Sequence, residues 1–515
     1  MRLFLFLVGG TGSRVMRPLI MQFAAGVHPT DASGQPLPLE VVPIVVDPHQ
    51  ANEDLKRTEN LMRWYRQTRR ALYGEDADVR RGFFSVKVST LADILPTGGS
   101  SLSNSFLFNM NAIESKRFRD LIDFSTLDTA SQALCSMMFS DEQLDTKMDI
   151  GFVGSPNIGS VALNEFKDSE EFRQFSNVFQ KSDRIFIVSS IFGGTGAAGY
   201  PIIVKNIRNA DENAAINNRA DLRDARIGAL TVLPYFNIQQ DENSPISRAD
   251  FISKTKSALY YYHDNLTGLR QNGVDLPMSK VNACYYVGDE VPSNPYFNDP
   301  GGNGQRNDAH VVEYVGALAV LDFLQIPDEE LLTTDGNAQN PVFKEYGLAN
   351  DRRTLTLGDF GVATRSAVNR QMAKFHLAYM YITHQFRNDI GRGYTQDKPV
   401  IGQGFTSTTF FTTLTNNFFV GYRQWLKELK GNQRSFVPFN LETTRLSEAL
   451  NGIAPKTGLF KSAIDYKTLL AALNKASQTA TRKQRYASDN VPLKFMDLLD
   501  ETLDRLLDEK FNIDR

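Results

Sequence analysis

The chain has 515 residues, of which 42% are hydrophobic and 22% charged, with 56 Lys and Arg against 59 Asp and Glu. A net charge of −3 excludes a chain driven as a whole onto nucleic acid or an anionic membrane. Two cysteines, Cys135 and Cys284, exclude a disulfide framework or a cysteine metal site. The length predicts two or more domains with large cores, and the 35 Phe residues are expected as core or interface material. No run reaches membrane-spanning length, and the apolar opening Met1 to Val8 is too short for a secretory leader, so a cytoplasmic location is expected.

In chain order, Leu3 to Val8 predicts a buried strand that runs into Gly9-Gly10-Thr11-Gly12-Ser13-Arg14. A helix is expected over Val15 to Ala25, with Pro18 in its first turn. Glycines between a strand and a helix let backbone approach an anion closely, and the helix N-terminus attracts it. A second strand, Leu39 to Val46, ends in Asp47. An acid there serves either a ribose hydroxyl or the cap of the helix that begins near Asn52. That helix runs to Tyr73 with a basic face, read as solvated rather than as a nucleic-acid surface. Residues 74 to 145 alternate polar loops with helical pieces and read as an insertion on the core.

The core resumes near Met148 with the loop Gly154-Ser155-Pro156-Asn157-Ile158-Gly159 and a helix over Glu165 to Lys181. The branched and aromatic run Arg184 to Val188 predicts a strand feeding Ser189-Ser190-Ile191-Phe192-Gly193-Gly194-Thr195-Gly196-Ala197-Ala198-Gly199 and then a helix. No Lys-Ser or Lys-Thr follows these glycines, so this is not a P-loop. Further strands are expected at Ile227 to Phe236 and Val281 to Val287, the latter ending in Gly288-Asp289-Glu290. Strands alternating with helices predict an α/β fold with a Rossmann-like parallel sheet.

Taken together, these loops resemble, in order, those of the tubulin/FtsZ superfamily. Val8 to Ser13 resembles its first glycine loop, with Arg14 where the family has Asn, and Val46 to Gln50 resembles its second. Gly154 to Gly159 resembles the third. Gly193 to Gly199 resembles the Gly-Gly-Thr-Gly-(Thr/Ser)-Gly loop, with Ala197 replacing the hydroxyl residue. The resemblance covers roughly residues 1 to 365. It implies a guanine nucleotide, GTP or GDP, with Mg²⁺ as a companion ion. The phosphates and ribose would be held by Gly9, Gly10, Thr11, Gly12, Ser13, Asp47, Gly154, Ser155, Asn157, Gly193, Gly194, Thr195, Gly196 and Ala197.

Asn307 to Leu324 is apolar on most sides and predicts a helix buried between layers. In the family such a helix joins the nucleotide domain to a second domain. Asp308-Ala309-His310 resembles the family's Asp-Ala-Phe, so His310 would stack on the base, unless it is a capping or core histidine. Tyr314 stands where the family reads the base with an acid or amide, and Asp289 matches an Asn near ribose and base. Hydrolysis in the family uses acids of the next subunit. Two placements stay open: Asp359, in Leu355 to Gly361, and Asp351, in Gly347 to Arg353.

Beyond Phe360, a helix is expected over Ala363 to Phe386, and Thr- and Phe-rich runs from Thr406 to Tyr422 predict strands of a second α+β domain. His376 and His384 share a helix face but are not read as a metal site. Pro492 to Phe511 is amphipathic with an acidic face and is expected on the body or on a partner, not on a membrane. The implied organisation is a nucleotide domain over 1–305, a central helix over 306–326, a second domain over 327–490 and a terminal helix over 491–515. The implied function is head-to-tail self-assembly into filaments with slow GTP hydrolysis at the contact. A non-dynamic nucleotide-binding scaffold or sensor is the alternative, and a Rossmann-type redox enzyme is disfavoured by its missing fingerprint spacing. A further protein partner would bind through the 74–145 insertion or the terminal helix.

Overall fold

A computed structural model describes residues 1–49, 52–96, 105–108, 116–148, 152, 155–210, 216–237, 248–266, 280–291, 306–331, 341–347, 352–360, 367–456, 463–487 and 489–513. Its centre is a seven-stranded sheet, ordered β3-β2-β1-β4-β5-β6-β7, in which every neighbouring pair is parallel. The strands are β1 Arg2–Val8, β2 Glu40–Val46, β3 Lys87–Val88, β4 Arg184–Ser190, β5 Arg226–Val232, β6 Ala283–Gly288 and β7 Val342–Gly347. Their near-continuous apolar sequences follow from burial on both faces, which parallel sheets require.

Side-chain alternation divides the core in two. Leu3, Leu5 and Leu7 of β1 face a layer holding α1 (Gly9–Ala24), α2 (Glu53–Tyr73) and the later helix Val311–Gln325. Phe4, Phe6 and Val8 face the other layer. Phenylalanines fill much of that second layer: Phe4 meets Phe175 at 4.9 Å and Phe108 meets Phe166 at 4.7 Å between ring centroids. The abundant Phe is therefore largely core.

Several expectations change. Residues 74–145 are not simply laid on the core, because β3 pairs with β2 and Phe83, Phe84 and Val86 are buried in the main cluster. Farther along, α3 (Thr129–Met138) belongs to the same stretch. β7, from the stretch assigned to a second domain, pairs with β6 and extends the main sheet. Pro18 lies inside α1 rather than in its first turn, because the helix already begins at Gly9.

The stretch predicted as strands over 406–422 is helical: Thr409–Thr412, a wider turn over Thr413–Phe418, and Phe419–Gly431. Thr408 caps this run by accepting the Phe411 amide. Buried Phe411, Leu414, Phe418, Tyr422, Trp425 and Leu429 recur at helical spacing, which outweighs the β preference of Thr and Phe. Among the described residues beyond the sheet, the strands are the two-residue β8 (Thr354–Leu355) and β9 (Ser435–Phe436), paired with each other.

Further helices include α4 (Pro156–Ala162), α5 (Gly194–Arg208), α6 (Arg248–Leu266), α7 (Val311–Gln325), α8 (Ala367–His384), α9 (Phe419–Gly431), α10 (Tyr466–Arg482) and α11 (Val491–Lys510). α11 packs on the body. Its Phe495, Leu499, Leu503 and Leu507 are buried, and its acids meet the basic face of α8. Asp500 lies 2.7 Å from Lys374, and Arg370 reaches Asp504 and Asp508 at 2.9 and 2.7 Å. No described helix is long and apolar enough to cross a membrane.

Candidate functional site

Strand register places the predicted loops along one edge. Val8 pairs with Val46 and with Ser189, Ser190 pairs with Val232, and Val232 pairs with Val287. Gly9, Asp47, Ile191 to Gly193, Leu233 to Tyr235 and Asp289 therefore all leave the sheet at its carboxyl end. The chain order reverses between β1 and β4, and α1 and α5 depart to opposite faces from there. A crevice at such a switch point is where open α/β sheets bind ligands.

The glycines close this seam. Gly9 has a φ of +73°, and a Cβ there would lie 3.3 Å from the Gly196 amide nitrogen. A Cβ on Gly12 would lie 2.6 Å from the Val188 carbonyl oxygen, and one on Gly196 2.6 Å from that of Ser190. Gly10 is different: it is exposed, and a Cβ would meet nothing within 4 Å. Gly12 and Gly196 thus serve packing, while Gly10 leaves backbone open to the crevice.

Two long helices, α1 and α5, begin here. Neither N-cap residue, Val8 or Gly193, supplies a side-chain cap, and neither first turn holds an acid. By contrast, Asn52 caps α2 by accepting the Leu55 amide at 2.7 Å. The first-turn N–H groups of α1 and α5 face the crevice end of the sheet, and together those of one helix amount to roughly half a positive charge. Such an end suits an anion. Thr195 and Gly193 are half-buried at its rim, and Ala197 is buried, its carbonyl accepting the Tyr262 hydroxyl at 2.8 Å. α4 crosses behind α5, with Gly159 so close to Ala198 that a Cβ would lie 2.8 Å from it. Ser155 is half-buried and Asn157 exposed at the start of α4. Gly154 lies outside the described residues.

Other predicted residues are engaged by the protein itself. Ser13 is buried and its hydroxyl donates to the Gly10 carbonyl at 2.8 Å, which stiffens the loop. Thr11 is also buried. Asp47 does not cap α2, since Asn52 does; its Oδ1 accepts the His49 amide at 2.9 Å. Burial pushes its carboxyl up to about 7. Asp289 lies 3.7 Å from Arg434, and burial raises its carboxyl too.

His310 is the N-cap of α7: its Nδ1 accepts the Val312 amide at 3.1 Å, and its ring lies 4.7 Å from that of Tyr235. Burial, reinforced by Arg14 and Arg434, lowers it to about 3 and keeps it neutral. Tyr314 is 1% exposed and walled by Phe436, Phe360 and Trp425, so its ring is core rather than crevice lining.

Asp359 is committed to its own turn. Its Oδ2 accepts the Thr356 amide and hydroxyl at 2.7 and 2.9 Å, and Oδ1 pairs with Arg352. Burial opposes its charge, but these partners hold it below the usual carboxylate range. Asp351 lies outside the described residues.

One constellation was missed. Arg14, one turn into α1, is buried and donates to Glu313 and to the Tyr235 hydroxyl, both at 2.7 Å. Asp54 of α2 stands 3.8 Å from Arg14, accepts from Arg17 at 2.9 Å and takes the Asn307 amide at 3.0 Å. This network ties the glycine-loop helix to the start of α7. Its sequence signal was Glu313, an acid set among the apolar residues that open α7, which demands a buried partner.

No family model matches the chain, and no curated protein matches it either.

Proposed function

We propose that this protein binds a guanine nucleotide, GTP or GDP, at the β1–β4 crevice and self-associates head to tail into filaments with slow hydrolysis at the contact. The observation that carries the binding step is the convergence of two glycine-opened helix N-termini, free of side-chain caps and first-turn acids, at the switch point of a parallel sheet. The donor set fits phosphate: first-turn N–H groups of α1 and α5, with Gly10 open to contact. Asp47 is the acid nearest in register to these loops and suits a ribose hydroxyl, and Asp289 and His310 stand at the same sheet edge toward β6. Among the described residues no group of three His, Cys, Asp or Glu could hold a metal. Mg²⁺, which the resemblance implies, would enter with the nucleotide, on phosphate oxygens and water, and neutralise phosphate charge there.

Filament formation rests on the resemblance of the loops to the tubulin/FtsZ superfamily and on the rule that a heterologous contact that does not close propagates. The engagement of Asp359 with Thr356 and Arg352 favours slow turnover, and also the second reading, a nucleotide-binding scaffold that does not polymerise dynamically.

Titration calorimetry of the purified protein with GTP, GDP and ATP tests the first step, followed by pelleting and phosphate release with GTP. The expected result is binding of both guanine nucleotides, GTP-dependent pelleting and slow release of phosphate. Binding without pelleting would assign the scaffold reading. Absence of guanine-nucleotide binding would sink the first reading and leave the second needing another ligand.

A further inference from the structure

Independently of the crevice, α3 presents an apolar stripe to solvent. Ala130, Leu134, Met137 and Met138 stand at helical spacings i, i+4, i+7 and i+8, the pattern that ordinarily faces a core. Here Leu134 is 58% exposed, Met137 86% and Met138 63%. No residue of α3 is buried. A ten-residue helix without a buried residue is marginal in water, and polar contacts hold it, among them those of half-buried Gln132, which donates to the Phe124 and Leu127 carbonyls. Asp128 caps it by accepting the Ala130 and Ser131 amides at 2.9 and 3.0 Å, and Phe139 beyond it packs on Phe118 at 4.8 Å between centroids. The fold thus props up an apolar face that nothing in the described chain covers.

The surrounding charge identifies what would. Thr129 to Ser140 contains no charged residue. Asp123 and Asp128 flank its beginning, and Asp141 and Glu142 its end, all four exposed. Of the nearby cations, Arg117 and Arg119 pair with Asp145 at 3.3 and 2.8 Å, while the exposed Lys116 and Lys147 stand at the base of the segment, where the backbones of Arg117 and Lys147 bridge. The apolar stripe is therefore bounded by acid at both ends.

A second copy does not suit this surface, because pairing two α3 helices in either direction sets acid against acid. An anionic lipid surface is repelled by the same four carboxylates. We infer that α3 is a docking surface for a partner helix of about three turns whose apolar face is closed at both ends by Lys or Arg. Unbranched Met side chains let such a face adapt to its partner's shape. The terminal cations supply the complementary charge that fixes partner and register.

The test uses the full-length protein and two fluorescein-labelled synthetic amphipathic peptides with the same Leu-Ala stripe, one ended in Lys and the other in Glu. Anisotropy is expected to show binding of the Lys-ended peptide, about tenfold or more over the Glu-ended one, weakening as salt rises. Met137→Asp, fully on the surface, is expected to reduce that binding by about tenfold or more. The double variant Asp141→Lys/Glu142→Lys is expected to narrow or reverse the preference between the two peptides. Equal binding of both peptides, no binding of either, or unchanged binding by Met137→Asp would overturn the inference. So would a dimer in sedimentation velocity that Met137→Asp dissolves, which gives the face to a second copy, or capture by phosphatidylglycerol vesicles, which gives it to lipid.

Discussion

Gly9 and Gly196 meet backbone to backbone across the seam between β1 and β4, where a Cβ on Gly9 would stand 3.3 Å from the Gly196 amide nitrogen. Two glycine loops separated by most of 190 residues are thus halves of one wall. Side chains on the buried glycines would pry the wall apart, whereas one on Gly10 would only stand in the crevice.

That contrast separates folding from binding. Gly196→Ala would place a Cβ 2.6 Å from the Ser190 oxygen, and is expected to cost about 1–3 kcal/mol of stability, read in urea titrations. Gly10→Ala meets nothing within 4 Å and is expected to hold or slightly raise stability, since Ala is favoured over Gly in a helix by up to about 1 kcal/mol. Its guanine-nucleotide affinity is expected to fall about tenfold, the effect of about 1.4 kcal/mol. Unchanged affinity in Gly10→Ala would remove α1 from the binding site.

Asp47 makes stability depend on pH in a definite direction. Its carboxyl rises from an ordinary value near 3.8 to about 7 on burial. The folded state therefore holds a proton that the unfolded state has lost, and stability falls as pH rises from about 4 to about 7. Asp47→Asn keeps an oxygen for the His49 amide and removes the burden. Its melting temperature is expected to exceed that of the parent at pH 8 and to converge with it near pH 4. Equal melting temperatures at pH 8 would show that Asp47 is solvated or paired.

Two histidines act in the opposite sense. His310 and His376 are both lowered to about 3 by burial. Each unfolds into a chain where it titrates near 6.5, so stability is present above that value and is lost as pH falls toward 3. His376 stacks on Phe439 at 4.0 Å with planes 3° apart, and its Nε2 is buried without a hydrogen-bond partner. His376→Phe keeps the stacked ring. Proton uptake on unfolding between pH 6 and 4, from the slope of stability against pH, is expected to drop by about one. No change in that slope would mean His376 titrates freely in the folded protein.

The terminal helix offers a charge test. Lys374, 4% exposed at its side chain, pairs with Asp500 of α11 at 2.7 Å and lies over Phe83 at 5.5 Å. Lys374→Met leaves a buried carboxylate alone and is expected to cost about 3–5 kcal/mol, while Lys374→Met/Asp500→Leu recovers most of that loss. A double variant no more stable than the single would mean the pair's value lies in packing rather than charge.

Much of the sheet was legible because its determinants are local. Each of Leu3 to Val8, Arg184 to Val188 and Ile227 to Val232 is a short branched run ending in a glycine turn or loop, and observed strands lie there. α2 was legible in the same way, from a period of apolar residues along one side. The run from Thr406 to Tyr422 carries the β preference of Thr and Phe, but Phe411, Leu414, Phe418 and Tyr422 repeat at helical intervals, and that spacing prevails. Within the candidate site the residue types were visible, but their tasks were not. His310 read either as a base contact or as a capping or core histidine, and it caps α7; Tyr314 stands by position where a base would be read, yet it is enclosed by aromatic rings.

By itself, then, the sequence determined the central strands β1, β2, β4, β5 and β6, where glycine lets backbone come close, and that a parallel α/β sheet would result, since these follow from periodicity and backbone freedom over a few residues. Only the tertiary structure decided that Gly9 and Gly196 share a wall, that β7 joins the main sheet, and that Arg14 is spent on Glu313 and Tyr235. It alone decided that the acids of α11 face inward while the apolar stripe of α3 faces out. Those outcomes depend on which surfaces meet across hundreds of residues, and burial, not local preference, sets their energies.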